Sequence, residues 1–189
     1  MERELMLTGI GGQGVQLAAQ VLARAATFEG RKVMFFGVYG GTMRGGNTDS
    51  TVVVSDEEIA SPPIISRTWS AIVMHHEYWA PLRAKLRPNA VVLLNSTLFE
   101  GELDREQLRV FEVPATALAA ELGNVMTASM IMTGAYARVT GLVGLDAAIE
   151  GMRESLPPYR QQHIEANSRA LRAGFESMQE QAAPAWATE

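Results

Sequence analysis

The chain has 189 residues, 47% of them hydrophobic and 20% charged, and its 16 Lys plus Arg against 21 Asp plus Glu leave a net charge of −5. That length suits a single domain able to bury its own core without a disulfide or metal staple, and an acidic balance with no basic block argues against a protein held to nucleic acid mainly through phosphates. There is no cysteine, which excludes a thiol nucleophile, a thiolate zinc site and a cysteine-ligated iron–sulfur cluster in this chain.

The start, Met1-Glu2-Arg3-Glu4-Leu5, carries acids and lacks the basic opening and apolar h-region of a signal peptide. No apolar run reaches the 18 or so residues of a spanning helix, so a cytoplasmic protein is expected. Residues 3–8 form a short apolar run closed by Gly9, the pattern of a buried strand. Val15, Ala18, Ala19, Leu22, Ala25 and Ala26 then recur at helical spacing, with Gly30 placed as a C′ glycine. Strands are predicted at 32–38 and, rich in β-branched residues, at 48–54, with a glycine-rich loop between them. Strand 69–75, helix 77–86 ended by Pro88, strand 90–95, strand 109–113 and short helix 115–122 follow. Beyond Asn124 only helices are predicted, at about 126–140, 145–154 and 159–178. Alternation of this kind predicts a Rossmann-like α/β domain over residues 1–178, with a mostly parallel sheet, helices on both faces and a C-terminal helical segment. An antiparallel pair is expected at one edge, because strand 48–54 follows its predecessor without a helix between. The Ala-rich tail, 179–189, is expected to fray.

Gly9-Ile10-Gly11-Gly12-Gln13-Gly14 matches G-x-G-x-x-G between a predicted strand and helix. In that motif the first glycine allows a tight turn, the second lets backbone approach a ligand, and the third packs helix against strand. The following helix N-terminus would favour an anion. A dinucleotide site also needs an acid closing the second strand, to hold the ribose. That strand ends Gly37-Val38-Tyr39-Gly40, and Glu29 belongs to the preceding helix end. The second cluster, Tyr39-Gly40-Gly41-Thr42-Met43-Arg44-Gly45-Gly46-Asn47, holds one arginine among glycines. Arg44 could present its planar fork to a phosphate, a carboxylate or a partner's backbone, or it could pair locally with Asp49. His75 and His76, adjacent on a strand, would face opposite sides, and His163 and Glu165 share no helical face. No self-contained catalytic constellation is visible.

Taken together, Gly9-x-Gly11-Gly12-Gln13-Gly14, Tyr39-Gly40-x-x-x-Arg44-Gly45-Gly46 and Ser61-Pro62 resemble the γ subunit of the 2-oxoacid:acceptor oxidoreductases, as do Asn124, Gly134-Ala135, Glu165-Ala166-Asn167 and Gly174. The resemblance spans nearly the whole chain. It implies a subunit of an enzyme that decarboxylates a 2-oxoacid on thiamine diphosphate, passes electrons through iron–sulfur clusters to ferredoxin or another acceptor, and forms an acyl-CoA. Thiamine diphosphate and the clusters would then lie in partner chains, which agrees with the missing Gly-Asp-Gly and the missing cysteines. It further implies that Gly11, Gly12, Gln13, Gly14, Arg44, Gly45 and Gly46 meet coenzyme A or the seam between subunits, with no catalytic residue and no metal ligand here. The alternatives are a free-standing Rossmann enzyme using NAD or FAD, and an assembly module without a ligand.

Overall fold

A computed structural model describes residues 1–39, 45–59 and 65–186. Arg44, and Ser61 with Pro62, lie outside the described residues. The chain forms β1 (Glu2–Ile10), α1 (Val15–Phe28), β2 (Lys32–Tyr39), β3 (Asn47–Ser55), β4 (Thr68–Val73), α2 (Trp79–Arg83), β5 (Leu86–Asn95), β6 (Leu108–Val113), α3 (Ala115–Glu121), α4 (Ala128–Thr140), α5 (Leu145–Ser155) and α6 (Ile164–Glu176). Short 3-10 turns precede α2, α4 and α6.

The six strands pair in the order β2-β3-β1-β4-β5-β6. Strands β1, β4, β5 and β6 run parallel, whereas β3 is antiparallel to both β1 and β2. The expected antiparallel edge is therefore one reversed strand, inserted between β2 and β1. Alternation sorts the core into two faces. Leu5, Leu7, Ile72, Val91 and Leu93 point toward α1, α4, α5 and α6, and Met6, Ala71, Val73, Val92 and Leu94 point toward α2 and the Phe99–Leu103 loop. Because β4 and β5 are covered on both sides, their sequences read as continuous apolar runs, and each fully buried Val, Leu or Ile contributes about 1.5–3 kcal/mol.

Helix α1 packs on α5 through alanines and Gly151, where a Cβ would come within 2.7 Å of the Val21 carbonyl oxygen. Glu29 closes α1 as its C-cap, and its carboxylate accepts the Gly144 N–H at 2.7 Å, at the start of α5. Helix α4 is buried on nearly every side. Its Tyr136 hydroxyl shares a 2.8 Å hydrogen bond with Ser70 Oγ. Burial pushes that phenol well above its ordinary range, so it stays neutral and structural. Helices α4 and α6 approach closely at Gly134 and Gly174: a Cβ on Gly174 would overlap the Ile131 carbonyl, and one on Gly134 the Leu171 carbonyl.

Three expectations change. The helix expected at 77–86 is α2, five residues long, because the chain at Leu86 already joins β5 and bulges around Pro88 before its ladder with β4 resumes at Val91. The last helix begins at Ile164, since Pro157-Pro158 leads into a 3-10 turn over Pro158–His163. The tail expected to fray instead packs as far as Trp186. Backbone N–H groups of Gln181, Ala183 and Ala185 donate to the carbonyls of Arg138, Val139 and Thr140, Ala183 and Ala185 are fully buried, and Arg31 stacks 3.5 Å from the Trp186 ring. Composition hid this because the bonds go to the open carbonyls at the end of α4, which no local pattern announces. Removal of 179–189 is expected to cost roughly 2–3 kcal/mol from these bonds and to lower the melting temperature by about 5–10 °C. Calorimetry on the 1–178 chain checks this, and an unchanged transition would show the tail to be passive.

Candidate functional site

Five of the six strands point one way, so the loops after β1, β4, β5 and β6 gather at one edge of the sheet. The connection after β1 runs over the face that carries α1, and the connection after β4 over the face that carries α2. This leaves a crevice at the carboxyl ends of β1 and β4, where ligands bind in open α/β sheets.

The Gly9–Gly14 turn occupies that crevice. A Cβ on Gly9 would stand 2.9 Å from both Met74 Cβ and Val15 Cγ2, so the first glycine is the one that lets strand and helix close. The Ile10 N–H donates to Gln13 Oε1 at 2.8 Å, and the Gln13 N–H returns to the Ile10 carbonyl at 3.0 Å. Gln13 thus braces the turn from inside. Gly12, at φ 106°, has nothing near its missing Cβ and leaves the turn open outward. Gly14, at φ 80°, caps α1 without a side-chain bond, and its absent Cβ would collide with Ser129 of α4. The third glycine therefore packs the turn on a helix, which differs from the helix-on-strand role expected of it. No acid occupies the first turn of α1, so its free N–H groups offer an uncompensated positive end.

The two glycine clusters meet. Gly11 donates to the Gly46 carbonyl at 2.8 Å, and Gly45 donates to the Gly11 carbonyl at 3.3 Å. Asp49 does not stand free beside them: Thr8 Oγ1 and Asn47 Nδ2 donate to its carboxylate at 2.7 and 2.9 Å. The structure therefore joins Gly11, Gly45 and Gly46 through backbone, turns Gly12 toward open space, packs Gly14 against Ser129, and folds Gln13 inward.

That open space is a cleft of about 380 Å³ lined by Gly12, Gly14 and Leu17, the Asn124–Ser129 segment, and Leu156, Arg160, His163 and Asn167 near α6. A smaller hollow of about 180 Å³ lies on the other side of Gly12, against Met74, Leu98 and Thr116. Met126, 68% exposed, stands between the two. Arg160 supplies a positive charge, and among the described residues no carboxylate lines the larger cleft. Asn167 and Ser129 are only 7% and 2% exposed, yet neither side chain has a hydrogen-bond partner among the described residues.

Sequence reasoning missed Ser129, Arg160 and Asn167 as members of one site, because the α4–α6 crossing brings them there. One signal was available: Asn167 falls in phase with Ile164, Leu171 and Gly174, on the face of α6 that should be apolar. His75 and His76 also differ from expectation. They follow β4 rather than lying in it, and their rings stack 4.4 Å apart. Among the described residues no cluster of three or more His, Asp or Glu could hold a metal, and no helix is long and apolar enough to cross a membrane.

The strand order weighs against a dinucleotide. With β3 inserted, the end of β2 lies two strand spacings, about 9–10 Å, from β1. The Gln16 amide fills the space there, donating to the carbonyls of Val38 and Asp49. What fold and crevice define is an α/β domain with an anion-friendly glycine turn at the carboxyl edge of its sheet.

The chain belongs to the pyruvate ferredoxin/flavodoxin oxidoreductase family, whose sequence pattern matches residues 4–177. It is 32% identical to the 2-oxoglutarate synthase subunit KorC of Methanothermobacter thermautotrophicus, over 95% of this chain and 97% of that one. The keto/oxoacid ferredoxin oxidoreductase γ subunit of Geobacter sulfurreducens superposes with a TM-score of 0.79 at 25% identity, covering 93% of this chain and 95% of that one. A 2-oxoglutarate:ferredoxin oxidoreductase from Magnetococcus marinus, solved with 2-oxoglutarate, coenzyme A and succinyl-CoA bound, shares the fold with a TM-score of 0.79 at 15% identity, over 95% of this chain and 32% of that one. This is a γ-type subunit of a multi-chain 2-oxoacid oxidoreductase.

Proposed function

We propose that this subunit works in the cytoplasm and contributes a contact for coenzyme A to an assembled 2-oxoacid oxidoreductase, through the Gly12–Gly14 turn and through Arg44. Thiamine diphosphate and iron–sulfur clusters, held by partner chains, supply the decarboxylation and electron-transfer chemistry that this chain's residues do not. One observation carries the reading: the uncapped start of α1 opens past Gly12 onto a cleft that has Arg160 at its wall and, among the described residues, no carboxylate. A phosphate is the group such an opening favours. The backbone bonds of Gly11 with Gly45 and Gly46 bring the described end of the second glycine cluster to the same turn.

The test is Arg44→Ala in the assembled enzyme. Losing a charge-assisted contact of about 1.5–3 kcal/mol should raise the apparent Michaelis constant for coenzyme A by roughly tenfold or more, with little change in melting temperature. Arg44→Lys should recover only part, since it keeps the charge without the fork. Weakened subunit association at an unchanged coenzyme constant would move Arg44 to the seam between chains. A variant that assembles and uses coenzyme A normally, but melts early, would reduce Arg44 to a structural role.

A further inference from the structure

We infer that the outer edge of β2 is an interface between two copies of this chain. The copies pair their β2 strands antiparallel about a two-fold axis at Phe36 and join two six-stranded sheets into one. The inference concerns the edge of the sheet and stands apart from the coenzyme A reading above.

The two edges of the sheet are built differently. Strand β6 carries Arg109 and Glu112, and both are engaged: Arg109 donates to the Ala182 carbonyl of the tail, and Glu112 pairs with Arg105. Charges and a covering segment of that kind keep an edge from pairing. Strand β2 has none of these devices. Its ladder with β3 runs without a bulge from Lys32 to Tyr39, and from Val33 to Val38 it holds no charge and no proline. Phe35, Phe36 and Val38 are 38%, 40% and 45% exposed. The outward N–H and C=O groups of this strand meet no other strand among the described residues, and such an apolar edge is a template for one.

The sequence of β2 complements itself. Two-fold pairing in a continuous sheet sets residues of the same face opposite each other, so the axis passes through a residue and not between two. Val33, Phe35 and Gly37 share the face that carries α1, and Met34, Phe36 and Val38 share the other. With the axis at Phe36, the two Phe36 rings meet, Met34 of each copy faces Val38 of the other, and Phe35 faces Gly37. Gly37, kept bare by the Gln16 amide packed over it, has no side chain to oppose that ring. An axis at Phe35 would instead set Lys32 against Val38. The exposed parts of Phe35, Phe36 and Val38 amount to roughly 200 Å² per copy, and about six to eight backbone hydrogen bonds complete the contact. A contact of that size gives a weak, concentration-dependent dimer.

The chain has no cysteine, so single introduced cysteines report the register without background. Across the axis the two copies of position 36 lie about 4.5–5.5 Å apart at Cα, within reach of a disulfide. The two copies of position 35 lie on a diagonal, about 7–8 Å apart. Under a mild oxidant the full chain carrying Phe36→Cys should crosslink to a dimer about tenfold faster than one carrying Phe35→Cys. Sedimentation of the unaltered chain should show monomer and dimer in equilibrium at tens to hundreds of micromolar. Phe36→Lys, which sets like charges face to face, should abolish the dimer and leave the far-ultraviolet circular dichroism spectrum unchanged. In the assembled enzyme, Phe36→Cys should link one γ-type subunit to another. Four results would each overturn the inference: a chain that stays monomeric throughout that range, an association that survives Phe36→Lys, equal crosslinking at the two positions, or a different subunit on this edge in the assembled enzyme.

Discussion

Gly174→Ala is expected to destabilise the chain by about 3 kcal/mol, at the upper end of what overpacking usually costs, and to lower its melting temperature by roughly 6–12 °C. On an exposed helix the same change would stabilise by about 1 kcal/mol, because alanine is the better helix former. The sign should reverse here because the new Cβ overlaps the Ile131 carbonyl and stands 2.7 and 2.8 Å from the carbonyl carbon and Cα of the same residue. These are backbone atoms in the first turns of α4 and cannot rotate away. Gly134 has the reciprocal relation with Leu171 and Phe175, so the helices cannot slide to relieve one clash without meeting the other. Thermal and urea unfolding of the variant give the answer. A melting temperature equal to or above that of the parent chain would mean that α4 and α6 do not cross this closely. Ser129 and Asn167 lie on these two helices, so a variant that folds with the pair spread apart should also hold ligands in the cleft more weakly.

The second expectation is all-or-none: the purified chain alone should show no turnover with any 2-oxoacid, thiamine diphosphate and electron acceptor, and activity should appear once partner subunits are added. The argument starts from residues. A chain without cysteine has no thiolates for an iron–sulfur cluster, and the chain carries no Gly-Asp-Gly from which a thiamine motif could begin. Among the described residues, the larger cleft has His163 as its one proton-transferring side chain, and the neighbouring hollow has none. Acceptor-dye reduction, followed with the chain alone and after reconstitution, makes the comparison. Turnover by a preparation shown to be free of partner chains would overturn it.

The parts of this fold that could be read from sequence are those set by local chemistry. Helix α1 matched its apolar spacing and its closing glycine, Gly30, which adopts φ 80°. Strands β2, β3, β5 and β6 fell within a few residues of their apolar runs. The Gly9–Gly14 turn was visible because strand, glycines and helix are contiguous. The rest depends on residues far apart in the chain. Nothing near Gly11 says that Gly46 will accept its N–H, and nothing near Arg160 says that it will stand across a cleft from Gly12. The 3-10 turn over Pro158–His163 reads in sequence as the start of a helix, because over a single turn the residue spacing serves either geometry. Asn167 could have been noticed as a polar residue in an apolar phase, though a side chain in that position is as easily satisfied by a neighbouring carbonyl. Its lack of a partner is a property of the packed molecule.

The tail has a consequence for how the subunit can be attached to other chains. Arg3 Nε donates to the Ala185 carbonyl at 2.5 Å, Arg109 donates to the Ala182 carbonyl, and Trp186 lies against Arg31 just before β2. The first strand and the last described residues therefore meet at the amino edge of the sheet. Gly9, where β1 delivers the chain to the cleft, is six residues beyond Arg3, about 20 Å away at the rise of an extended strand. A domain, tag or surface linked through either of these segments sits at the base of the molecule, and the rim around Gly12 and Met126 remains clear for the encounter with ligand or partner. Labels meant to report on that encounter belong instead on the exposed positions of the rim itself, such as Val125.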